Sequence, residues 1–233
     1  MTLPPATRFY DGPGFDALDN DGLAEAYDNT SGLVAFIDET YRAPSQALKR
    51  STFYILTAVV IERDRMAAVR AKLVEIAGGP KWHTRDEALT EEGQARIVKM
   101  TRYLASAATS VVAVHGEIPP ADLHAEATRA ACFDALLGDL CASGTLVPGG
   151  LAVYDRRRDA GPQEVDRATI SATRKRQSIH RNLQVRPGRP AREALLWMPD
   201  VVAWATRQGL AEQTPQYVAP LTARKTIRII AVP

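Results

Sequence analysis

The sequence has little cysteine, with Cys132 and Cys141 as the only two among its 233 residues. Both fall in a predicted helix, where a separation of nine residues places their side chains on opposite faces. We therefore expect no disulfide between them, and a reducing cytoplasmic environment fits this cysteine content. No pair of Cys or His has the spacing of a zinc site, which argues against a structural zinc ion.

Long apolar runs are also missing from the sequence. No stretch of eighteen apolar residues occurs, so we expect no transmembrane helix and no membrane partner. Residues 1–8 do not combine a cationic segment with a following apolar one, as a signal peptide would. The hydrophobic content of 45% is that of an ordinary globular domain with a substantial core.

Charge is nearly balanced overall but unevenly distributed along the chain. Residues 11–28 contain six Asp or Glu and no Lys or Arg, whereas residues 156–192 contain eleven Lys or Arg against three acids. Such asymmetry indicates a polyanionic partner for the basic stretch, and nucleic acid, DNA or RNA, is our expectation. The acidic start predicts an N-terminal arm or lid over residues 1–30, followed by a single domain over residues 31–233.

Two apolar stretches that end in carboxylates organise the prediction of the fold. Residues 33–39 read Leu-Val-Ala-Phe-Ile-Asp-Glu, and residues 151–155 read Leu-Ala-Val-Tyr-Asp. A short apolar run bounded by turn residues indicates a strand buried on both faces, although periodicity alone leaves helix open for the first stretch. A charge inside a sheet is costly, so we expect the acids where each strand emerges into a cleft. The alternative is that Asp38 and Glu39 only begin a surface loop.

The remaining pattern alternates strands with helices and predicts an α/β layered fold. Further strands are predicted at 51–61, 110–115 and 226–232, and helices are predicted between the strands, the last of them over 195–207. The proline- and glycine-containing segment 186–190 is predicted to be a loop.

Four carboxylates are the candidate site residues: Asp38, Glu39, Asp155 and Asp200. Asp200 lies early in an otherwise apolar helix, where a lone buried charge is expensive unless it is paired or bound to metal. Hard oxygen ligands of this number suit Mg²⁺ or Mn²⁺, which usually keep waters and a substrate phosphate as remaining ligands. The alternative for Asp200 is a helix-start acid favoured by the helix dipole. Neighbours in a strand point to opposite faces, so Asp38 and Glu39 share a site only where the strand curls.

His83 and a set of cations complete the candidate residues. His83 lies in a polar loop, and histidine is well suited to proton transfer near neutral pH, although a structural or solvated role is the alternative. The cations Arg156, Arg157 and Arg158 directly follow Asp155, and a second group follows later in the chain. We interpret five of these cations as candidates for binding phosphate: Arg156, Arg157, Arg174, Lys175 and Arg176. The alternative is that they form only a solvated helix face.

Four short motifs occur in a particular order along the chain. They are Phe-Ile-Asp-Glu-Thr at 36–40, Trp-His at 82–83, Val-Tyr-Asp at 153–155 and Leu-Leu-Trp-Met-Pro-Asp at 195–200. In their order and spacing they resemble a bacterial domain family of unknown function that belongs to the ribonuclease-H-like superfamily. The resemblance implies a ribonuclease-H-like mixed sheet flanked by helices, with Asp38, Asp155 and Asp200 as metal ligands and with Glu39 and His83 as accessory residues. In the last motif Trp197 stands where the family usually has Gln, and Pro199 where it has Ala.

These observations predict a Mg²⁺- or Mn²⁺-dependent phosphodiesterase, a nuclease acting on nucleic acid. The alternative is a catalytically silent module that keeps the same fold and binds nucleic acid or protein. A phosphatase of the haloacid dehalogenase type fits less well, because its motif requires a second Asp where this sequence has Thr40.

Overall fold

The fold is built around a six-stranded sheet. The computed structural model describes residues 13–15, 22–48, 50–176 and 178–233. The strands are β1 (Leu33–Arg42), β2 (Phe53–Glu62), β3 (Thr109–His115), β4 (Leu151–Asp155), β5 (Gln184–Gly188) and β6 (Ile227–Ala231). The helices in these ranges are α1 (Leu23–Asp28), α2 (Met66–Ala77), α3 (Thr84–Glu87), α4 (Glu91–Ala107), α5 (Glu126–Ala142), α6 (Ala160–Lys175), α7 (Trp197–Leu210) and α8 (Ala219–Ala223).

The sheet is mixed, with strand order β5-β4-β1-β2-β3-β6. Strands β1, β2 and β3 form an antiparallel meander, whereas β4 and β5 run parallel to β1, and β6 runs parallel to β3. Helices α5 and α6 lie in the connections that make β4 and β5 parallel, as parallel pairing requires. The predicted α/β class is therefore confirmed, and β1 and β4 are neighbours in the sheet. The acids were expected where each strand ends, which holds for Asp155 in β4. Strand β1 instead continues past Asp38 to Arg42, because these residues go on pairing with β2.

Both faces of the sheet are covered by helices, which explains why the central strands read as continuous apolar runs. On one face, alternate residues of β1 such as Val34 and Phe36 join a core with α1, α2, α4 and α7. On the other face, Ala35 and Ile37 pack with residues of α5 and α6. A residue's position in β1 therefore decides which of the two helical layers it meets.

Strand β5 corrects the sequence-based prediction, which made residues 186–190 a loop. Residues Gln184–Gly188 pair with β4 instead, and Pro187 and Gly188 are part of the pairing. A proline cannot donate to the ladder, but β5 is at the edge of the sheet, where a missing donor on the outer side costs nothing. At Gly188 an added Cβ would meet Val153 Cγ1 at 2.9 Å, so glycine lets β5 lie close to the core.

The segment before β1 is packed against the domain where it is described. In α1, Leu23 and Tyr27 are fully buried in the core. Tyr27 donates through its hydroxyl to Glu193 Oε2 at 2.6 Å, and Glu193 also forms a two-point ion pair with Arg70 of α2, at 2.8 and 3.0 Å. The division at residue 30 stays a prediction, and Asp11, Asp16, Asp19 and Asp21 of the acidic arm lie outside the described residues.

No helix within the described ranges is long and apolar enough to cross a membrane.

Candidate active site

Asp38 and Asp155 emerge on the same face of the sheet from neighbouring strands. The β1–β4 register pairs Ile37 with Tyr154, so the next residue in each strand is one of the two aspartates. The alternation of side chains turns both toward the layer that contains α7, because Phe36 and Val153, each two residues earlier, belong to that core. The pairing of β1 with β4 therefore brings two of the candidate metal ligands close together.

Asp200 reaches the same region from the first turn of α7, which packs over β1 and β2. Its carboxylate is held by Thr84, which begins the short helix α3. The Thr84 backbone N–H and hydroxyl both donate to Asp200 Oδ2, at 3.0 and 2.8 Å. Thr84 is fully buried, and its hydroxyl accepts a hydrogen bond from Trp82 Nε1 at 2.9 Å. This chain of contacts fixes one oxygen of Asp200.

The three aspartates influence one another electrostatically. Burial raises the pKa of Asp38 well above its ordinary value, and the nearby charges of Asp155, Glu39 and Asp200 raise it further. Burial followed by the charges of Glu39 and Asp200 raises the pKa of Asp155 from 3.8 to about 7. Burial also raises the pKa of Asp200, while the hydrogen bonds from Thr84 act in the opposite direction. Mutual repulsion of this kind is what a bound cation would relieve.

The donor set can be compared with the needs of Mg²⁺ or Mn²⁺. Within the described residues, no group of three or more His, Cys, Asp or Glu side chains converges closely enough to form a ready-made metal site. Mg²⁺, however, is commonly bound by one or two carboxylates with waters and substrate phosphates as its other ligands, so it does not need a cage built by protein alone. The carboxylates fit such an ion in chemistry and in charge.

Glu39 points to the opposite face from Asp38, as strand alternation requires. There it forms an ion pair with Arg129 of α5, which is itself buried. The Asp38 side chain instead accepts a hydrogen bond from the Glu39 backbone N–H at 2.7 Å. Glu39 therefore contributes its charge near the aspartates, while its carboxylate is held by a cation from the other helical layer.

Arg129 is the centre of a network that the sequence analysis missed. Its guanidinium donates to Asp166 of α6 at 2.8 and 3.1 Å and to the Tyr54 hydroxyl at 2.9 Å. Although burial alone would lower the pKa of Arg129, Glu39, Tyr54 and Asp166 raise it above its ordinary value. A signal was present in the sequence, because Arg129 shares a helix face with the apolar residues Cys132, Phe133 and Leu136.

His83 precedes α3 and lies near Asp200. Its ring Nδ1 is 3.3 Å from Asp86 Oδ2, and its side chain is 59% exposed. The positive charge of His83 lowers the pKa of Asp200, which places the two side chains within electrostatic reach. His83 is thus an exposed residue at the rim of the cluster, held to α3 by a contact with Asp86.

Two grooves open beside the carboxylates. The larger, which we call the arginine groove, has a volume of about 960 Å³, and its lining includes Lys81, His83, Asp155, Arg156, Arg158 and Arg189. The smaller, which we call the tyrosine groove, has a volume of about 410 Å³, and its lining includes Glu39, Tyr41, Gln46, His124, Arg158 and Asp159. Arg157 and Arg158 line both, so the grooves meet at these two residues.

The predicted phosphate-binding cations separate into two groups. Arg156 lines the arginine groove, and Arg157 lies there too but is paired with Glu126 at 2.7 and 2.9 Å. Residues 174–176 lie at the other end of α6, roughly 22 Å along the helix axis from its start. There Arg174 donates to the Leu183 carbonyl and Arg176 pairs with Asp134 at 3.0 Å. Their role in nucleic-acid binding stays a prediction.

Comparison with known proteins places the fold. A scan against family models found no match, and a search of curated proteins found none either. Among solved structures, the chain is similar to the ribonuclease H2 from Pyrococcus horikoshii OT3, with a TM-score of 0.50 and 16% sequence identity. The likeness covers 79% of this chain and 76% of that one. The fold is therefore ribonuclease-H-like, as the motif resemblance implied for the fold.

Proposed function

We propose that this protein is a Mg²⁺- or Mn²⁺-dependent nuclease that hydrolyses phosphodiester linkages in nucleic acid. The observation that carries the proposal is the grouping of Asp38, Asp155 and Asp200 from three separate elements. Burial raises the pKa of each of these acids, nearby carboxylates raise the pKa values of Asp38 and Asp155 further, and Asp155 lines a groove rich in cations. Perturbed acids in a cleft are typical of functional sites. The structural neighbour is named a ribonuclease H2, which favours the same chemistry.

Each aspartate has a distinct part in this proposal. Asp38 and Asp155 are presented by neighbouring strands of the sheet, and Asp200 is oriented by its hydrogen bonds from Thr84. These three residues would hold the divalent ion, which when bound would polarise the scissile phosphate and favour attack by water. Glu39, held by Arg129, adds negative charge beside the site without being free to turn into it.

The arginine groove accounts for recognition of the substrate backbone. Its cations Lys81, Arg156, Arg158 and Arg189 surround Asp155 in the lining. Contacts from Lys and Arg to phosphates position a nucleic acid but read little of its sequence, so we expect binding with weak sequence preference and strong dependence on salt. His83 at the rim is placed to exchange a proton with a reacting or leaving oxygen.

The competing proposal is a silent module that binds nucleic acid on the same fold. It is favoured by one observation: no three-ligand group is preformed in the described part of the chain. Calorimetric titration with Mn²⁺ separates the two proposals. The nuclease takes up Mn²⁺ and loses this uptake in Asp38→Asn, whereas a silent module shows no uptake that depends on Asp38.

The direct experiment is a cleavage assay on labelled single-stranded and duplex DNA and RNA with Mg²⁺, Mn²⁺ or EDTA. We expect cleavage that requires the metal and that is lost in Asp38→Asn, Asp155→Asn and Asp200→Asn. The matched control is Asp64→Asn, an aspartate that is 79% exposed and that follows β2 beside Leu33, the first residue of β1. Full activity in all three site variants, or loss of activity in the control alone, would contradict the proposal.

A further inference from the structure

The tyrosine groove contains an aromatic ring that is fixed on one side and open on the other. Tyr41 pairs with Tyr54 across β1 and β2, and the two rings stack with centroids 5.2 Å apart and planes 15° from parallel. Tyr54 is buried and its hydroxyl accepts from Arg129, which anchors the stack. Tyr41 is nevertheless 40% exposed, so the face of its ring opposite Tyr54 is available to the groove.

The charges around this ring largely cancel. Arg129 and Arg157 pair with three carboxylates, those of Glu39, Glu126 and the buried Asp166, which leaves at most one excess negative charge and no excess positive charge. The remaining charged residues of the lining are the exposed Arg158 and Asp159, of opposite sign. A groove without excess positive charge is a poor site for phosphate but suits a neutral, planar ring that stacks on an aromatic side chain.

Polar groups and size fit the same kind of occupant. Ser45, Gln46 and His124 lie in the lining and offer hydrogen-bond donors and acceptors, which are the groups that read the edge of an exposed base. The volume of about 410 Å³ is within the range of small-ligand sites, roughly 300–1,000 Å³.

We propose that the tyrosine groove is a subsite for one unpaired nucleobase, which stacks on Tyr41 while its backbone passes Arg158 into the arginine groove. Arg158 lines both grooves, and its guanidinium forms no ion pair with any described residue. It is therefore available for the phosphate that joins the two subsites. This inference rests on the proposed nuclease function and adds the substrate class: a strand that is unpaired next to the cleaved linkage.

The proposal is tested by binding of short oligonucleotides that carry 2-aminopurine, whose fluorescence falls when it stacks on an aromatic ring. The measurements use the full chain carrying Asp155→Asn, which prevents cleavage. We expect the parent to quench a single-stranded probe, and Tyr41→Leu to lose this quenching and bind roughly 5- to 100-fold more weakly, the loss of one base stack. Binding of a blunt duplex is unchanged by Tyr41→Leu, because paired bases cannot reach the ring.

Control variants isolate the ring from other effects. Tyr41→Phe keeps the stacking surface and retains quenching. Arg158→Ala weakens binding of single strands and reduces the slope of log affinity against log salt by about one, whereas Lys99→Ala, an exposed residue of α4 that lines neither groove, leaves both unchanged.

Two outcomes overturn the subsite: Tyr41→Leu that binds and quenches like the parent, or an equal loss of affinity for single strands and for duplex. Failure of the nuclease proposal is distinguishable from failure of the subsite. Suppose that quenching depends on Tyr41 but that the protein without the Asp155→Asn substitution cleaves no substrate with any metal. This result would support the subsite and reject hydrolysis. Metal-dependent cleavage together with quenching that does not depend on Tyr41 would support hydrolysis and reject the subsite.

Discussion

Replacing Asp155 with Asn should stabilise the metal-free protein at neutral and alkaline pH. The pKa of Asp155 lies at about 7 in the folded state, against an ordinary value of 3.8. The folded protein therefore binds more protons than the unfolded chain between these two values, and stability falls as pH rises from about 4 through about 7. Above this window the charged Asp155 destabilises the fold, whereas a neutral Asn does not.

The rise in the pKa of Asp155 from 3.8 to about 7 sets the size of this change in stability. At about 1.4 kcal/mol per unit, ionising Asp155 lowers the free energy of unfolding by roughly 4 kcal/mol at pH 8. At pH 5, Asp155 is mostly protonated in the folded protein. By the same linkage, its raised pKa lowers the free energy of unfolding by about 2 kcal/mol at this pH. For a chain of this length, 1 kcal/mol shifts Tm by roughly 2–4 °C, so at pH 8 the variant should melt on the order of 10 °C higher.

The assay is thermal and urea unfolding of EDTA-treated protein from pH 5 to pH 8, with Asp64→Asn as the control. The reasoning also predicts that Mn²⁺ raises the Tm of the unaltered protein far more than that of Asp155→Asn, because the ion relieves a repulsion that the variant no longer has. A variant that melts lower than the parent at pH 8 would refute the argument. So would a stability difference that stays constant over the whole pH range.

Two further predictions concern buried contacts. Thr84→Val removes the hydroxyl that donates to Asp200 and should weaken Mn²⁺ binding by roughly 10- to 100-fold. Thr84→Ser keeps the hydroxyl and should keep the affinity for Mn²⁺. Equal affinities of the two variants in calorimetry would show that the contact is dispensable. Glu193→Ala leaves Arg70 buried without its partner and should cost about 3–5 kcal/mol in urea unfolding. The double variant Arg70→Met with Glu193→Met should recover much of that loss, and no recovery would mean that the pair contributes more than charge compensation.

Local sequence predicts those parts of the site that depend on the residue pattern within a single strand. The apolar runs that lead into Asp38 and Asp155 require burial on both faces, and that requirement is enough to predict two central strands that carry these acids. Alternation within β1 also predicts that Glu39 faces away from Asp38. Strand β5 was not predicted, because Pro187 and Gly188 are turn residues by composition and only an edge position permits them in a sheet.

The sequence by itself thus determined the layered α/β class, the two apolar strands that carry Asp38 and Asp155, and the apolar helix that carries Asp200. Tertiary structure alone decided which side chains hold these acids. Thr84 and Asp200 are in contact although they are 116 residues apart in the sequence, and the paired residues Arg129 and Asp166 are 37 apart. No periodicity within a window of sequence encodes such contacts, since they depend on how separate helices pack on the two faces of the sheet. The same packing brings Tyr41 and Arg158 into one groove, although each is an ordinary surface residue in its own segment.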